Sequence, residues 1–562
     1  MTSPNPSTAL ARTIVDELHR NGVDYAVISP GSRSAALAIA ADQHPGISTT
    51  VVLDERSAGF HALGRSLATG RPTIAIATSG TAVANYLPAV IEADISCVPV
   101  IFMTADRPPE LSGVGANQTI DQVKIFGSRV RQFADVGPAG GSFDQNGLWR
   151  SLMSQTVARA KGHGGRPGPV HVNVAFREPT VPVSDDGRTT AARYPFPTPG
   201  REDAGPWQRH VVSPPAGSEP WGLRPKSGLV IAGQGDYDRD GLLDAVEGGN
   251  WPMLATAASG LRSSNDVVTT YHHLLVDGIP GPLTPDLVLT VGQIGPSDRL
   301  SALTALPVPQ IQVDRWGQWQ DPRRHSTHLL QGDPVQFLQG LGVMSAAWRD
   351  AWAEADDAMT RALGDTLDQV GAWTGPGVAR AISGIETARL VVASSMPIRD
   401  VDAHTRLTGR RIYANRGASG IDGFVSTALG VGSTGGDTLA LSGDLSFLHD
   451  LGGLVADRLP PVVFIVIDNG GGGLFDLLPQ AEHAPDFDRL FFAPHHRDLE
   501  TLAIGHGLEV TTLGDEDLMT EILDAQPRAG PRAILIPVDR ETDLKTRKTL
   551  DAEARLVVSG LS

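Results

Sequence analysis

Short apolar runs rich in Val and Ile alternate with longer amphipathic stretches from one end of the chain to the other. In the first part, strands are predicted at Tyr25–Ser29, Thr49–Leu53, Thr73–Thr78, Val98–Thr104 and Pro169–Val174. Helices are predicted between them at Ser34–His44, Glu55–Thr69 and Thr81–Ala93. A polar stretch rich in Pro and Gly, Val181–Ser227, then interrupts the pattern and reads as a linker. The alternation resumes from Gly228 to about Leu341, with strands at Leu229–Ala232, Leu287–Val291 and Gln310–Val313. Helical sequence over Ala346–Gly371 leads to a third part that begins near Pro376. Its strands are predicted at Leu390–Ala393, Ile412–Ala414, Thr438–Leu441, Val462–Ile467 and Ala533–Pro537. Strand–helix alternation of this kind predicts an α/β protein with parallel sheets. The expected arrangement is three doubly wound parallel-sheet domains at 1–182, 228–345 and 376–562. A linker over 183–227 and a helical connector over 346–375 join them.

Bulk properties narrow the picture. A chain of 562 residues has room for about three or four domains. Hydrophobic content of 41% and charged content of 19% fit globular cores. A net charge of −17 excludes a general nucleic-acid binder but not a site for small anions, which needs only local positive charge. The single cysteine, Cys97, rules out an internal disulfide and a cysteine metal cluster. No run of about 18 apolar residues is present, and the first residues lack a charged segment followed by an apolar one. A cytoplasmic protein with no membrane or nucleic-acid partner is expected.

The densest chemistry lies between Gly443 and Phe475. Gly443-Asp444 follows one strand, and Asp468-Asn469 with four glycines follows the next. Both clusters sit just past strand C-termini, where open parallel sheets bind ligands. Mg²⁺ takes a carboxylate, neutral oxygens and phosphate oxygens. Asp444 supplies the first, the Asn469 amide the second, and a carbonyl near Gly471 a third ligand. The glycines let backbone approach phosphate closely. Either dipeptide alone is an ordinary turn. The pair, with Asn469 placed 25 positions after Asp444, is far more specific and resembles the thiamine-diphosphate motif.

Three loops of the first part carry further candidates. Ser29–Ser34 reads either as an anion site at a helix start or as a serine cap, and Arg33 favours the anion. Glu55, after Asp54 at a helix N-terminus, is ordinarily a dipole partner. Beside a cation–diphosphate motif it also suits the carboxylate that a thiamine-diphosphate enzyme sets against N1′ of the aminopyrimidine. Thr78-Ser79-Gly80-Thr81 reads as a turn facing phosphate or substrate, or as a helix cap.

Together the phrases SPGSRS, DERSAGFHALG, TSGTAVANYLPAVIEA, TADRPPEL, GANQ, GPVHVNVAFREP, NRGASGIDG, GDLSFLHDL and DNGGGGLF resemble one family. It is the menaquinone-pathway 2-succinyl-5-enolpyruvyl-6-hydroxy-3-cyclohexene-1-carboxylate synthases. The resemblance covers the first and third parts and is weak in the middle. It implies domains of the thiamine-diphosphate-enzyme type and a homodimer or homotetramer with active sites between subunits. It also implies a transferase that decarboxylates 2-oxoglutarate and adds the succinyl semialdehyde unit to isochorismate, using thiamine diphosphate and Mg²⁺ or Mn²⁺.

Carried over by residue, the resemblance makes Glu55 the cofactor-activating acid and Ile421 the apolar support of the bent cofactor. It makes Asp444, Asn469 and Gly471 the metal ligands. It puts Thr78, Gly80, Ser395, Gly443, Leu445 and Ser446 on the cofactor, together with Gly472, Leu474 and Phe475. Ser32, Arg33, Arg107 and Gln118 then belong with isochorismate, and Ser395, Arg399 and Arg416 with the carboxylates of 2-oxoglutarate. The family often has Lys-Arg facing the second substrate in the middle domain. Here Asp298-Arg299 stands there, so Arg299 is kept and the lysine is not. The alternatives are another thiamine-diphosphate 2-oxoacid enzyme, of acetolactate synthase or decarboxylase type, and a non-catalytic cofactor-binding paralogue.

Overall fold

The computed structural model describes residues 5–140, 145–182, 200–208, 223–262, 267–295, 297–370, 373–385, 389–406, 411–514, 520 and 530–561. It divides into two compact units. One comprises Met1–Ser213, Gly417–Gly436 and Leu448–Val462, the other Pro214–Arg416, Asp437–Phe447 and Val463–Ser562. Most of the linker predicted over 183–227 lies outside the described residues.

The first unit is built on a six-stranded sheet of β1 (Tyr25–Ile28), β2 (Ser48–Val51), β3 (Thr73–Ala77), β4 (Val100–Asp106), β5 (Phe133–Val136) and β6 (Val170–Ala175). Their order is β2-β1-β3-β4-β6-β5, and every pairing is parallel. Alternation along β3 sets its two faces. Ile74 and Ile76 enter a core with Leu18, Ile101 and Val172, while Ala75 and Ala77 enter another with Phe60, Tyr86 and Phe102. Both faces are therefore covered, as a doubly wound sheet requires.

The second unit holds two sheets. One contains β7 (Gly228–Ala232), β8 (Met253–Ala255), β9 (Val267–Val268), β10 (Leu287–Val291), β11 (Gln310–Asp314) and β12 (His328–Gln331), in the order β12-β11-β10-β7-β8-β9. The other contains β13 (Arg389–Val392), β14 (Arg411–Tyr413), β15 (Thr438–Gly443), β16 (Val463–Asp468), β17 (Glu509–Thr512) and β18 (Arg532–Pro537), in the order β14-β13-β15-β16-β18-β17. Both are parallel throughout. Counted within its own sheet, this last order is the same as that of the first unit.

The pattern did not predict β5, β8, β9, β12 and β17. Four of the five are edge strands, and the other, β8, is three residues long. An edge strand shows solvent on one side, so its residues need not be apolar; β17, for example, has no buried residue. The helix predicted over Thr81–Ala93 is two helices, Thr81–Asn85 and Leu87–Ile95. Pro88 has no N–H to continue the first one.

Helix Glu55–Thr69 of the first unit packs backbone to backbone against helix Phe424–Gly432. A Cβ on Gly64 would lie 2.2 Å from the Thr427 carbonyl oxygen, and one on Gly430 would lie 2.2 Å from that of His61. Backbone cannot yield as a flexible side chain can. Gly64→Ala and Gly430→Ala are therefore each expected to destabilise by about 1–3 kcal/mol, the scale of overpacking, despite a gain in helix propensity of about 1 kcal/mol. Gly364 lies inside helix Ala346–Val370 with the nearest side-chain atom 4.0 Å from its Cβ position, so Gly364→Ala should be neutral or stabilising. Denaturation midpoints of the three variants check the contrast.

Candidate active site

In a doubly wound sheet the loops after two adjacent strands diverge where the strand order reverses, and the cleft between them binds ligands. In the first unit this point lies between β1 and β3. The loops there are Ser29–Ser34 and Thr78–Thr81. They abut so closely that a Cβ on Gly31 would lie 2.3 Å from that of Thr78. Ser32 is exposed at the tip of its loop. Arg33 donates to the Phe176 carbonyl at 3.0 Å and pairs with the exposed Glu178 at 3.1 Å. Its Nε is buried without a partner among the described residues. Arg107 donates to the Ser79 hydroxyl. Burial and the nearby Arg33 charge lower its pKa. An anion between the two guanidinium groups would relieve that repulsion. Gln118, in the left-handed region at φ 54°, donates to the Ser79 carbonyl at 2.9 Å and so joins the same group.

Sequence reasoning missed the residue that stiffens this crest. Gln122 is buried, accepts from the Gly80 N–H at 2.9 Å, and donates to the Ala105 carbonyl at 3.2 Å and to Asn173 at 2.8 Å. One amide thus ties together the ends of β3, β4 and β6. No spacing or motif marks it, because its three partners are distant in sequence.

Glu55 opens its helix behind Asp54, whose carboxylate caps it by accepting from the Arg56 N–H at 2.8 Å. Asn85 Nδ2 stands 3.5 Å from the Glu55 carboxylate. The same helix is anchored by Asp450, fully buried, which accepts from Ser57 Oγ at 3.0 Å and the Ser426 N–H at 2.7 Å. Ile421 is half-buried in the turn before Ser426's helix. The glycine-rich loop leading to it is held by Glu92, another residue the sequence did not single out. The Glu92 carboxylate accepts from the Gly417 and Ala418 N–H groups at 2.8 and 2.7 Å.

In the last sheet of the second unit the order reverses between β13 and β15, and the loops there carry Ser395 and Gly443-Asp444. Ser395 sits at φ 72°, a conformation that costs a non-glycine residue about 1–3 kcal/mol and clusters at functional sites. Arg399 donates to the Ser395 carbonyl at 2.6 Å. Among the described residues no carboxylate lies within ion-pair distance of it. The neighbouring Asp400 is taken by Arg547 through bonds of 2.5 and 2.9 Å. Arg416 is nearly buried. Its guanidinium lies 3.3 Å from the Cβ position of Gly295, in the loop after β10, and its carbonyl accepts from Gln293 at 3.0 Å. Asp298, just beyond that loop, acts on Arg399 through its charge but stands outside ion-pair range. Arg299 turns elsewhere, to the His272 carbonyl and to Asp551 at 3.2 Å.

Asp444 is 2% exposed at the end of β15. Its Oδ1 accepts from the Leu445 N–H at 2.6 Å, and its Oδ2 lies 3.3 Å from Nε2 of His495. Ligand atoms of Asp444, Asp468 and His495 all fall within 4.8 Å of one another. Burial first, and then the Asp468 charge, push the Asp444 carboxyl up to about 7. A divalent cation would relieve both effects, so the paired carboxylates fit one. Asn469 begins the glycine turn, its Oδ1 accepting from the Gly471 N–H at 3.3 Å. Gly472 donates to the Phe492 carbonyl at 2.6 Å. Leu445 and Ser446 occupy the first turn after Asp444, while Leu474 and Phe475 lie in the 3₁₀ turn Gly473–Leu477. The Phe475 ring centroid is 5.8 Å from that of Phe491.

Residues 8–125 match the family described as "Thiamine pyrophosphate enzyme, N-terminal TPP binding domain". The chain resembles a benzoylformate decarboxylase structure from Polynucleobacter necessarius with a TM-score of 0.70. The match covers 94% of this chain and 98% of that one at 15% identity, a likeness of fold. It is 39% identical to the 2-succinyl-5-enolpyruvyl-6-hydroxy-3-cyclohexene-1-carboxylate synthase of Thermobifida fusca, over 97% of this chain and 98% of the relative. The synthase of Rubrobacter xylanophilus is 38% identical over 98% of each chain. On this full-length similarity the chain belongs to the 2-succinyl-5-enolpyruvyl-6-hydroxy-3-cyclohexene-1-carboxylate synthase family.

Proposed function

We propose that the protein joins 2-oxoglutarate to isochorismate with loss of CO₂, in menaquinone biosynthesis, using thiamine diphosphate and Mg²⁺ or Mn²⁺. The observation that carries this reading is the state of two arginines. Arg107 reaches the strand-order reversal of the first unit through its bond to Ser79, Arg399 follows the strand that opens the reversal in the second unit, and among the described residues neither has a carboxylate within ion-pair range. A guanidinium drawn from water without an ion-paired partner calls for an anion. Two dicarboxylate substrates supply four. Pyruvate, the substrate of an acetolactate-type alternative, supplies one.

In this reading Ser32, Arg33, Arg107 and Gln118 bind isochorismate, and Ser395, Arg399 and Arg416 bind 2-oxoglutarate. Asp444, Asn469 and the Gly471 carbonyl hold the cation. Thr78, Gly80, Gly443, Leu445, Ser446, Gly472, Leu474 and Phe475 line the cofactor, and Ile421 supports it. When bound, the cofactor supplies a nucleophilic thiazolium carbon and the electron sink for decarboxylation. Glu55 holds the proton exchanged with N1′. The domain limits 1–182, 228–345 and 376–562, a homodimer or homotetramer with sites shared between subunits, and a cytoplasmic location are inferred on the same family ground. No helix among the described residues is long and apolar enough to cross a membrane.

The reading is tested with purified protein supplied with thiamine diphosphate, Mg²⁺, isochorismate and 2-oxoglutarate. Isochorismate should disappear in step with CO₂ release, and chelation with EDTA should stop both until Mg²⁺ or Mn²⁺ is restored. CO₂ release from pyruvate with isochorismate untouched would point to the alternative enzyme.

Arg399 and Arg547 separate a substrate cation from a structural one. Arg399→Ala is expected to raise the 2-oxoglutarate KM about 10- to 150-fold, the value of a charged hydrogen bond, with little change in melting temperature. Arg547→Ala strands the buried Asp400 and should cost about 3–5 kcal/mol of stability. Steady-state kinetics and thermal melts of both variants decide, and a low-melting Arg399→Ala with normal KM would remove Arg399 from the site.

A further inference from the structure

His495 belongs to neither the sequence motif nor the ligands proposed above. It lies on the stretch that follows Phe492 and returns across the glycine turn after β16. Its backbone N–H donates to the Gly470 carbonyl at 3.2 Å, which fixes where the side chain starts. Its ring is 10% exposed, and Nε2 stands 3.3 Å from Asp444 Oδ2 and 3.5 Å from Asp468 Oδ1. Asp468 in turn accepts from the Gly470 N–H at 3.0 Å.

An imidazole beside two carboxylates can be a metal ligand or a hydrogen-bond donor to the ligands. The other ring nitrogen discriminates between these. Nδ1 of His495 accepts from the Arg497 backbone N–H at 3.0 Å. An amide nitrogen can only donate, so Nδ1 presents its lone pair there and the ring proton resides on Nε2. An Nε2 that carries a proton has no lone pair for a cation; it donates to Asp444 Oδ2 instead, with Asp468 Oδ1 3.5 Å away. Asp444 is then held at both oxygens, Oδ1 by the Leu445 N–H and Oδ2 by the imidazole. Each oxygen keeps a lone pair for a cation.

We propose that His495 is a positioning residue of the divalent-cation site. It orients the Asp444 carboxylate and couples it to Asp468 without itself ligating the metal. This rests on Asp444 being a metal ligand. Partners that orient a metal ligand in this way typically contribute about 10- to 100-fold to metal affinity.

The test is Mn²⁺ binding to the purified full-length chain with thiamine diphosphate present, read from the electron paramagnetic resonance signal of free Mn²⁺. Mg²⁺ and Co²⁺ are then measured by competition. His495→Ala is expected to weaken all three ions by a similar factor of about 10 to 100. His495→Gln, whose amide N–H can still donate to the carboxylate, should recover most of that loss. Unchanged Mn²⁺ affinity in His495→Ala would overturn the proposal. So would a loss confined to Co²⁺, because a nitrogen ligand matters far more to Co²⁺ than to Mg²⁺. Asp444→Ala separates the two levels: if that variant binds Mn²⁺ normally, the reading of Asp444 fails whatever His495 does. If Asp444→Ala loses Mn²⁺ and His495→Ala does not, only the role of His495 fails.

Discussion

Parallel pairing is the constraint on which the rest depends. When all strands of a sheet run the same way, every strand-to-helix loop leaves from one edge, and adjacent loops diverge only where the strand order reverses. The first and last sheets share one strand order, so each reverses after its first and third strands. Those four positions are Ser29–Ser34, Thr78–Thr81, Ser394-Ser395 and Gly443-Asp444. They hold the arginine-bearing loop, the turn that gathers Arg107 and Gln118, the strained serine and the buried aspartate. The chemistry follows from topology before any single side chain is considered.

Charge compensation marks the same places. Elsewhere, buried acids are compensated, by cations as at Glu17 with Arg150, Asp94 with Arg131 and Asp400 with Arg547, or by N–H and O–H donors as at Glu92 and Asp450. At the crests this rule fails. Asp444 faces a second carboxylate, and Arg399 has no acidic partner among the described residues. A fold can leave a buried charge uncompensated only at a loss of stability. That loss is recovered when a cation or an anionic substrate arrives, which makes the exceptions more informative than the many satisfied pairs.

Every inner strand but the three-residue β8 could be read from the sequence, because burial on both faces makes them continuous apolar runs; Thr73–Ala77 and Val463–Asp468 are examples. Four of the six edge strands, Glu509–Thr512 among them, could not, since nothing forces an edge strand to be apolar. At the site, Asp444 and Asn469 were visible because each follows such a run. His495 was not: it reaches Asp444 from 51 positions away, a distance only the fold closes. Gln122 and Glu92 were hidden for the same reason, since their partners, mostly backbone groups that leave no trace in residue identity, lie far away along the chain. The engagement of Arg299 with the distant Asp551 was equally invisible.

The central claim is that the crest of the last sheet is built to receive a cation and a diphosphate together, through Asp444. Titration calorimetry of thiamine diphosphate into the purified protein tests it most directly, with and without Mg²⁺ and with Asp444→Ala alongside. The account expects binding to the wild-type protein only when Mg²⁺ is present, and none to the variant in either condition. Equal binding with the metal chelated, or undiminished binding by Asp444→Ala, would contradict it.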